Sequence, residues 1–231
     1  MNEHDAWRHA VYFAPAPEHP LWRAGCAWLG RDPREVPATP PAREAVRSPW
    51  RYGWHATLKA PMRLHEGACE SRWLDDVATL AAGHAAFEMP GLDVARVDDF
   101  LALATRRALD ADHPLRRLAD DCVLRLDRWR APLTPQERQR QSQPGMSERQ
   151  LEHVDHYGYA HVLDDWRFHM TLSDSVAGWP VARVDALREA ARAHFETALA
   201  VPLRCDALCV FVEPAPGAPF ELRHRFPLAP A

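Results

Sequence analysis

Three observations predict that this 231-residue chain folds as helices packed against β-hairpins. Short β-branched and aromatic runs alternate with longer stretches of helical period. The order of strand, helix and hairpin occurs twice, opening each time on His-x-Thr-Leu, as "HATL" at 55–58 and "HMTL" at 169–172. A hydrophobic fraction of 47% is enough to fill the core of one sizeable domain or of two lobes. The repeated order suggests an internal duplication.

The elements follow in chain order. "RHAVYFAPA" at 8–16 reads as a strand closed by prolines, and "EHPLWRAGCAWLG" as a helix with Pro20 in its first turn and Gly30 as its stop. Five prolines (33, 37, 40, 41 and 49) make residues 31–50 a loop, after which "WHATLKAPMRL" alternates as a strand limited by Pro61. Ser71 is the expected cap of a helix whose apolar side carries Trp73, Leu74, Val77, Leu80 and Ala81, with Gly83 near its end. "LDVARV" and "FLALAT" make two strands turned by Asp98 and Asp99, followed by a helix from His113 to about Leu126. The polar connector 131–158 has capping-box spacings at Thr134–Glu137 and Ser147–Gln150, with Gly158 ending its second helix. "YAHVLDDWRFHMTLSD" reads as strand material, "VARVDALREAARAHFETALA" as an amphipathic helix, and "LRCDALCVFVEPAPGAPFELRHRF" as a hairpin turning at Pro216-Gly217. The expected lobes are 1–130 and 159–231, joined by the connector.

Composition excludes several classes. No apolar run approaches the roughly 18 residues that span a bilayer, and the first residues lack a signal-peptide layout, so no membrane partner is expected and the cytoplasm is the expected location. The five cysteines are odd in number and include no Cys-x-x-Cys pair, so they read as packed thiols; Cys205 and Cys209 are expected to share one strand face. A net charge of −4 gives no global attraction to DNA or RNA, leaving only a local cleft. Of 28 basic residues only Lys59 is lysine, and it stands two positions beyond Thr57.

Strand parity puts His55, Thr57 and Lys59 on one face, and Arg167, His169, Thr171 and Ser173 on one face of the second copy. With 13 histidines in the chain, chance predicts roughly 0.04 occurrences of His-x-Thr-Leu, so two copies count for far more than one. Two imidazoles across a cleft suit phosphodiester cleavage, one neutral ring taking a proton and one protonated ring giving it, while two threonine hydroxyls hold the non-bridging oxygens. The scheme needs no metal or other cofactor. Arg51, Tyr52 and Trp54 flank the first motif, and Tyr157, Tyr159 and Arg167 precede the second; these and Tyr12 are candidates for stacking or bidentate contacts. His153, His156 and His161 with Asp155 and Asp164 match no metal-ligand spacing and read as a solvated helix end.

The paired motifs resemble the His-x-Thr/Ser-x signatures of the two-histidine (2H) phosphoesterase superfamily, which includes RNA-ligase-type cyclic phosphodiesterases. With "AVYFAPAPEHPLW", "AGCAWLGRD", "RYGWHATLKAPMRL" and "WRFHMTLS", nearly the whole chain is similar to a branch described as phosphonate-metabolism proteins. The resemblance implies an α+β fold, two-lobed and pseudo-twofold, with antiparallel sheets lining a central cleft and helices outside. It implies metal-independent cleavage of a cyclic phosphodiester, with His55 and His169 as acid and base and Thr57 and Thr171 as phosphate binders. Lys59, Arg167, Tyr12, Arg51 and Tyr159 are the expected substrate contacts. The expected partner is a small phosphoester, a cyclic ribose phosphate or a nucleoside 2′,3′-cyclic phosphate, with an RNA end as a further candidate and a monomer as the expected state. Two alternatives stand beside this: a non-catalytic nucleotide or RNA-end binding module using the same cleft, and a metal-dependent hydrolase using the His153–His161 cluster.

Overall fold

The computed structural model describes residues 7–35 and 44–230. Pro37, Pro40 and Pro41 of the expected loop lie outside the described residues. Strand β1 (Arg8–Phe13) leads into helix α1 (Pro20–Leu29), where Pro20 occupies the first turn and Gly30 closes the helix at a φ of 74°. Helix α2 (Arg47–Tyr52) forms inside the stretch expected as loop, because Asp174 accepts hydrogen bonds from the amides of Arg47 (3.0 Å) and Ser48 (2.8 Å). A cap supplied from so far along the chain has no local signature.

Strand β2 (Ala56–Met62) carries the first motif, followed by helix α3 (Glu70–Ala82) and the short strand β3 (Phe87–Glu88). Cys69, not Ser71, holds the cap position of α3; Ser71 lies inside the first turn with its hydroxyl 3.1 Å from the Cys69 sulfur. Trp73, Val77, Leu80 and Ala81 are buried on the expected face. The hairpin β4 (Leu92–Val97) and β5 (Phe100–Thr105) turns at Asp98-Asp99, and α4 (Pro114–Leu126) starts at His113. In the connector, α5 (Pro135–Gln141) and α6 (Glu148–Tyr157) both begin with complete capping boxes, and Gly158 ends α6 in the left-handed conformation.

The second motif forms a much shorter strand than expected, β6 (His169–Thr171); a 3-10 turn at Leu163–Asp165 interrupts the preceding segment. Helix α7 (Val181–Leu199), the two-residue β7 (Arg204–Cys205), and the hairpin β8 (Ala207–Glu213) and β9 (Glu221–Pro227) complete the chain. Cys205 and Cys209 fall on different strands, both buried and both free thiols.

All strand pairings are antiparallel within a four-stranded sheet of order β2-β1-β8-β9, a three-stranded sheet of order β4-β5-β6, and the pair β3-β7. The architecture is α+β. The pairing crosses the connector: each larger sheet draws strands from both sides of residues 131–158. The β4-β5 hairpin that follows the first motif pairs with the strand of the second motif, and the β8-β9 hairpin that follows the second motif completes the sheet of the first. Helix α3 lies against β8 and β9, α4 against β2, and α7 against β4 and α1. No helix among the described residues is long and apolar enough to cross a membrane.

Tryptophan donors tie the second motif to the first and to α1. The Trp166 indole N–H bonds the carbonyl of Thr57 at 2.9 Å, and that of Trp28 bonds the carbonyl of Leu172 at 2.8 Å. Trp54, immediately before His55, is fully buried and stacked on Phe195 at 5.3 Å. A side chain at Gly25 of α1 would meet the Trp54 ring at 2.1 Å, so only glycine fits there.

Candidate active site

A cavity of about 490 Å³ opens between the two larger sheets, and His55, Thr57, His169 and Thr171 all line it. The motifs, more than a hundred residues apart in sequence, therefore converge. Gly53 ends α2 at a φ of 79°, where an added side chain would also crowd Pro33, and its carbonyl accepts from Nδ1–H of His55 at 2.9 Å. In the second motif the Arg167 carbonyl accepts from Nδ1–H of His169 at the same 2.9 Å. A carbonyl cannot donate, so each ring carries its proton on Nδ1 when neutral and keeps the Nε2 lone pair for other work. The Thr57 hydroxyl lies 3.4 Å from Nε2 of His55. Tyr12 stacks on the His55 ring with centroids 3.8 Å apart, and Phe100 lies 5.4 Å from that of His169.

Burial lowers the pKa of His55 to about 4; the Gly53 hydrogen bond works against this and the nearby His169 adds to it. Burial also lowers that of His169, with the Arg167 carbonyl opposing, His161 lowering it further and Asp98 raising it. Asp98, at a φ of 49° in the β4-β5 turn, lines the cavity. Both rings are thus held neutral, and His169 alone has a carboxylate in that balance.

Of the expected substrate contacts, Arg167, Tyr12 and Tyr159 line the cavity, and Lys59 and Arg51 do not. Lys59 is buried, its ammonium bonding Asp127 at 2.9 Å and the Val123 carbonyl at 3.4 Å. The cause is a β-bulge. Tyr12 pairs with Thr57 and Val11 with Lys59, so one step on β1 spans two on β2. The extra residue puts Leu58 and Lys59 on the same buried side and hands the cavity face to Ala60. Ser173, at the matching position of the second motif, also serves the backbone: its hydroxyl accepts from the Leu101 amide (3.0 Å) and donates to the Asp174 carbonyl (2.8 Å). Arg51 turns away to an ion pair with the buried carboxylate of Glu213.

Arg8, absent from the expected contacts, lines the cavity beside the flanking candidate Tyr52 and His161, which was expected at a solvated helix end, and Gln141 and Gln150 bring the connector helices to its wall. Arg8 was legible in principle, since parity along β1 places residues 8 and 12 on one face. His153 sits against the Ala160 carbonyl at 3.3 Å and Asp165 at 3.4 Å. Among the described residues no group of three or more His, Cys, Asp or Glu side chains is placed to hold a metal ion.

Residues 57–221, most of the chain and both motif threonines, match a family model described as "Protein of unknown function (DUF1045)". The chain belongs to the DUF1045 family. This DUF1045 chain is 37% identical over 237 residues to a protein of Janthinobacterium sp. (strain Marseille) named ribose 1,5-bisphosphate phosphokinase PhnN, covering 96% of this chain and 51% of that protein. A protein of the same name from Laribacter hongkongensis (strain HLHK9) is 36% identical over 222 residues, covering 93% of this chain and 50% of the relative. The DUF1045 chain thus spans about half the length of the curated relatives it matches. Among solved structures, E. coli LigT complexed with 3′-AMP aligns at a TM-score of 0.44 and 11% identity, over 97% of this chain and 99% of that one. Usb1 of Kluyveromyces marxianus aligns at 0.42 and 13%, over 97% and 99%. At these scores the likeness is loose.

Proposed function

We propose that this chain is a 2H-type phosphoesterase that opens a cyclic phosphodiester without a metal, with His55 and His169 as its acid-base pair. The observation that supports this most is the matched tethering of the two rings: each donates Nδ1–H to the carbonyl two residues back, and each leaves Nε2 to the same cavity. His55, with no carboxylate among the groups that shift it, acts as the base; His169, with Asp98 raising its pKa, acts as the acid. Water loses a proton to Nε2 of His55 as its oxygen bonds phosphorus. The ring P–O ester bond breaks, and the departing oxygen takes the proton from Nε2 of His169, leaving a phosphate monoester and a free hydroxyl. Thr57 and Thr171 donate to the non-bridging oxygens, and the Arg167 guanidinium offsets their charge.

The curated relatives are named for phosphorylating ribose 1,5-bisphosphate, which favours a cyclic ribose phosphate over an RNA end and fits a place in phosphonate metabolism. This chain has no phosphate loop of the form G-x-x-x-x-G-K-S/T, its single lysine standing in "TLKAP", so hydrolysis rather than phosphorylation is the activity assigned to it. Purified protein offered cyclic ribose phosphates and nucleoside 2′,3′-cyclic phosphates in excess chelator is expected to convert at least one to its monoester, followed by phosphorus NMR. Absence of turnover across the panel would sink the hydrolase reading, and tight binding without turnover would favour a binding module.

A further inference from the structure

The cavity extends past the histidines to a cluster that the acid-base scheme leaves unused. Phe220, fully buried, is the ring its members share: the Arg8 guanidinium carbon lies 5.4 Å from the ring centroid, the Tyr52 ring 5.1 Å and the Tyr12 ring 6.5 Å. Tyr159 lines the same cavity. Arg8 donates Nε–H to Glu213, a fully buried carboxylate that also accepts from Arg51 and from the Gly217 amide. Two guanidiniums against one carboxylate leave a net positive charge. Among the described residues, neither terminal nitrogen of Arg8 and none of the hydroxyls of Tyr12, Tyr52 and Tyr159 has a protein hydrogen-bond partner. The phenols share one region electrostatically: burial pushes Tyr12 well up, Tyr52 and Tyr159 push it further and Arg8 pulls it back, while burial and Tyr52 push Tyr159 up to about 12. Tyr12 and Tyr159 therefore stay neutral donors at physiological pH.

We infer that Arg8, with the hydroxyls of Tyr12, Tyr52 and Tyr159, forms a second anion subsite that takes a terminal phosphate on the substrate whose cyclic phosphate sits between the histidines. A cationic fork beside hydroxyls free to donate suits an acceptor-only, multiply charged group. Were Arg8 there only to hold the β1-β8 register, its Nε contact to Glu213 would suffice, and the fork would not need to face the cavity. It is distinct from the first subsite because its donors sit on the Phe220 side of Tyr12, whose ring stacks on His55 at 3.8 Å and lies 6.5 Å from Phe220, and none of them has a role in the acid-base scheme. The two-phosphate substrate rests on the function proposed above; the anion subsite itself does not.

The test compares a ribose cyclic phosphate carrying a second phosphate on its 5-hydroxyl with the same compound lacking it, on wild type, Arg8→Gln and Arg8→Lys. Wild type is expected to prefer the two-phosphate compound in kcat/KM by about 10- to 100-fold, a preference that Arg8→Gln removes by at least about tenfold and Arg8→Lys partly restores. A wild-type ratio near one, or equal losses on both compounds in Arg8→Gln, overturns the subsite while leaving hydrolysis intact. If neither compound is turned over, the proposed function fails, and calorimetry still reads the subsite: the Kd of the two-phosphate compound rises at least about tenfold in Arg8→Gln if the inference holds, and an unchanged Kd overturns it. Tyr159→Phe, which removes one hydroxyl and leaves the Glu213 ion pairs intact, serves the same comparisons should Arg8→Gln not fold.

Discussion

His55 and His169 illustrate how a common side chain becomes a specific one. Thirteen histidines occur in the chain, yet these two are prepared alike, each by one backbone carbonyl that fixes its tautomer and by burial that disfavours its cation. His55 has a pKa near 4 against an ordinary 6.5, so the unfolded chain takes up the proton first as pH falls. Its contribution to stability is fully present above the ordinary value and is lost as pH drops through 6.5 toward 4. A phosphate between the rings favours the cation and reverses the shift. The NMR titration of the His55 ring is therefore expected to have its midpoint well below 6.5 in the free protein and to rise by about one unit or more with saturating phosphate. A midpoint at the ordinary value, indifferent to phosphate, would contradict the site.

At the scale of elements, what the sequence showed depended on how local the signal was. Helix α1 carries its own start in Pro20 and its own stop in Gly30, and the two capping boxes sit wholly within the connector, so these were legible residue by residue. Helix α2 was not, since its cap comes from Asp174. Nor was the bulge in β2, which depends on how β1 pairs and which moved Lys59 from the cavity to Asp127. Burial pulls the Lys59 ammonium below its ordinary pKa even with Asp127 beside it, as expected for a structural cation. Lys59→Met leaves Asp127 paired with Arg130, so the substitution is expected to cost about 1–3 kcal/mol, a Tm loss of several degrees, while kcat/KM of the folded protein stays within about twofold. A hundredfold loss of kcat/KM at unchanged stability would return Lys59 to the site.

At the scale of the molecule, the duplication read from the order of elements takes a crossed form. The sheet of each motif includes the hairpin that follows the other motif, and no run of sequence announces such an exchange, because pairing partners are chosen by long-range packing. The exchange has a functional consequence. The sheet of each motif draws on the other half of the chain, Trp166 fastens the second motif to the Thr57 carbonyl of the first, and Trp28 fastens Leu172 of the second to α1, so the site is positioned by contacts from across the sequence. The account depends most on the two rings acting as a pair on one phosphodiester. The most direct measurement is the turnover of the preferred cyclic phosphate by His55→Ala and His169→Ala, with thermal unfolding of each variant as the control. Each substitution alone is expected to lower kcat by at least about 100-fold with little change in Tm, and the double variant to fall little further, because the residues act as a unit. A folded single variant that keeps wild-type kcat would contradict the pairing.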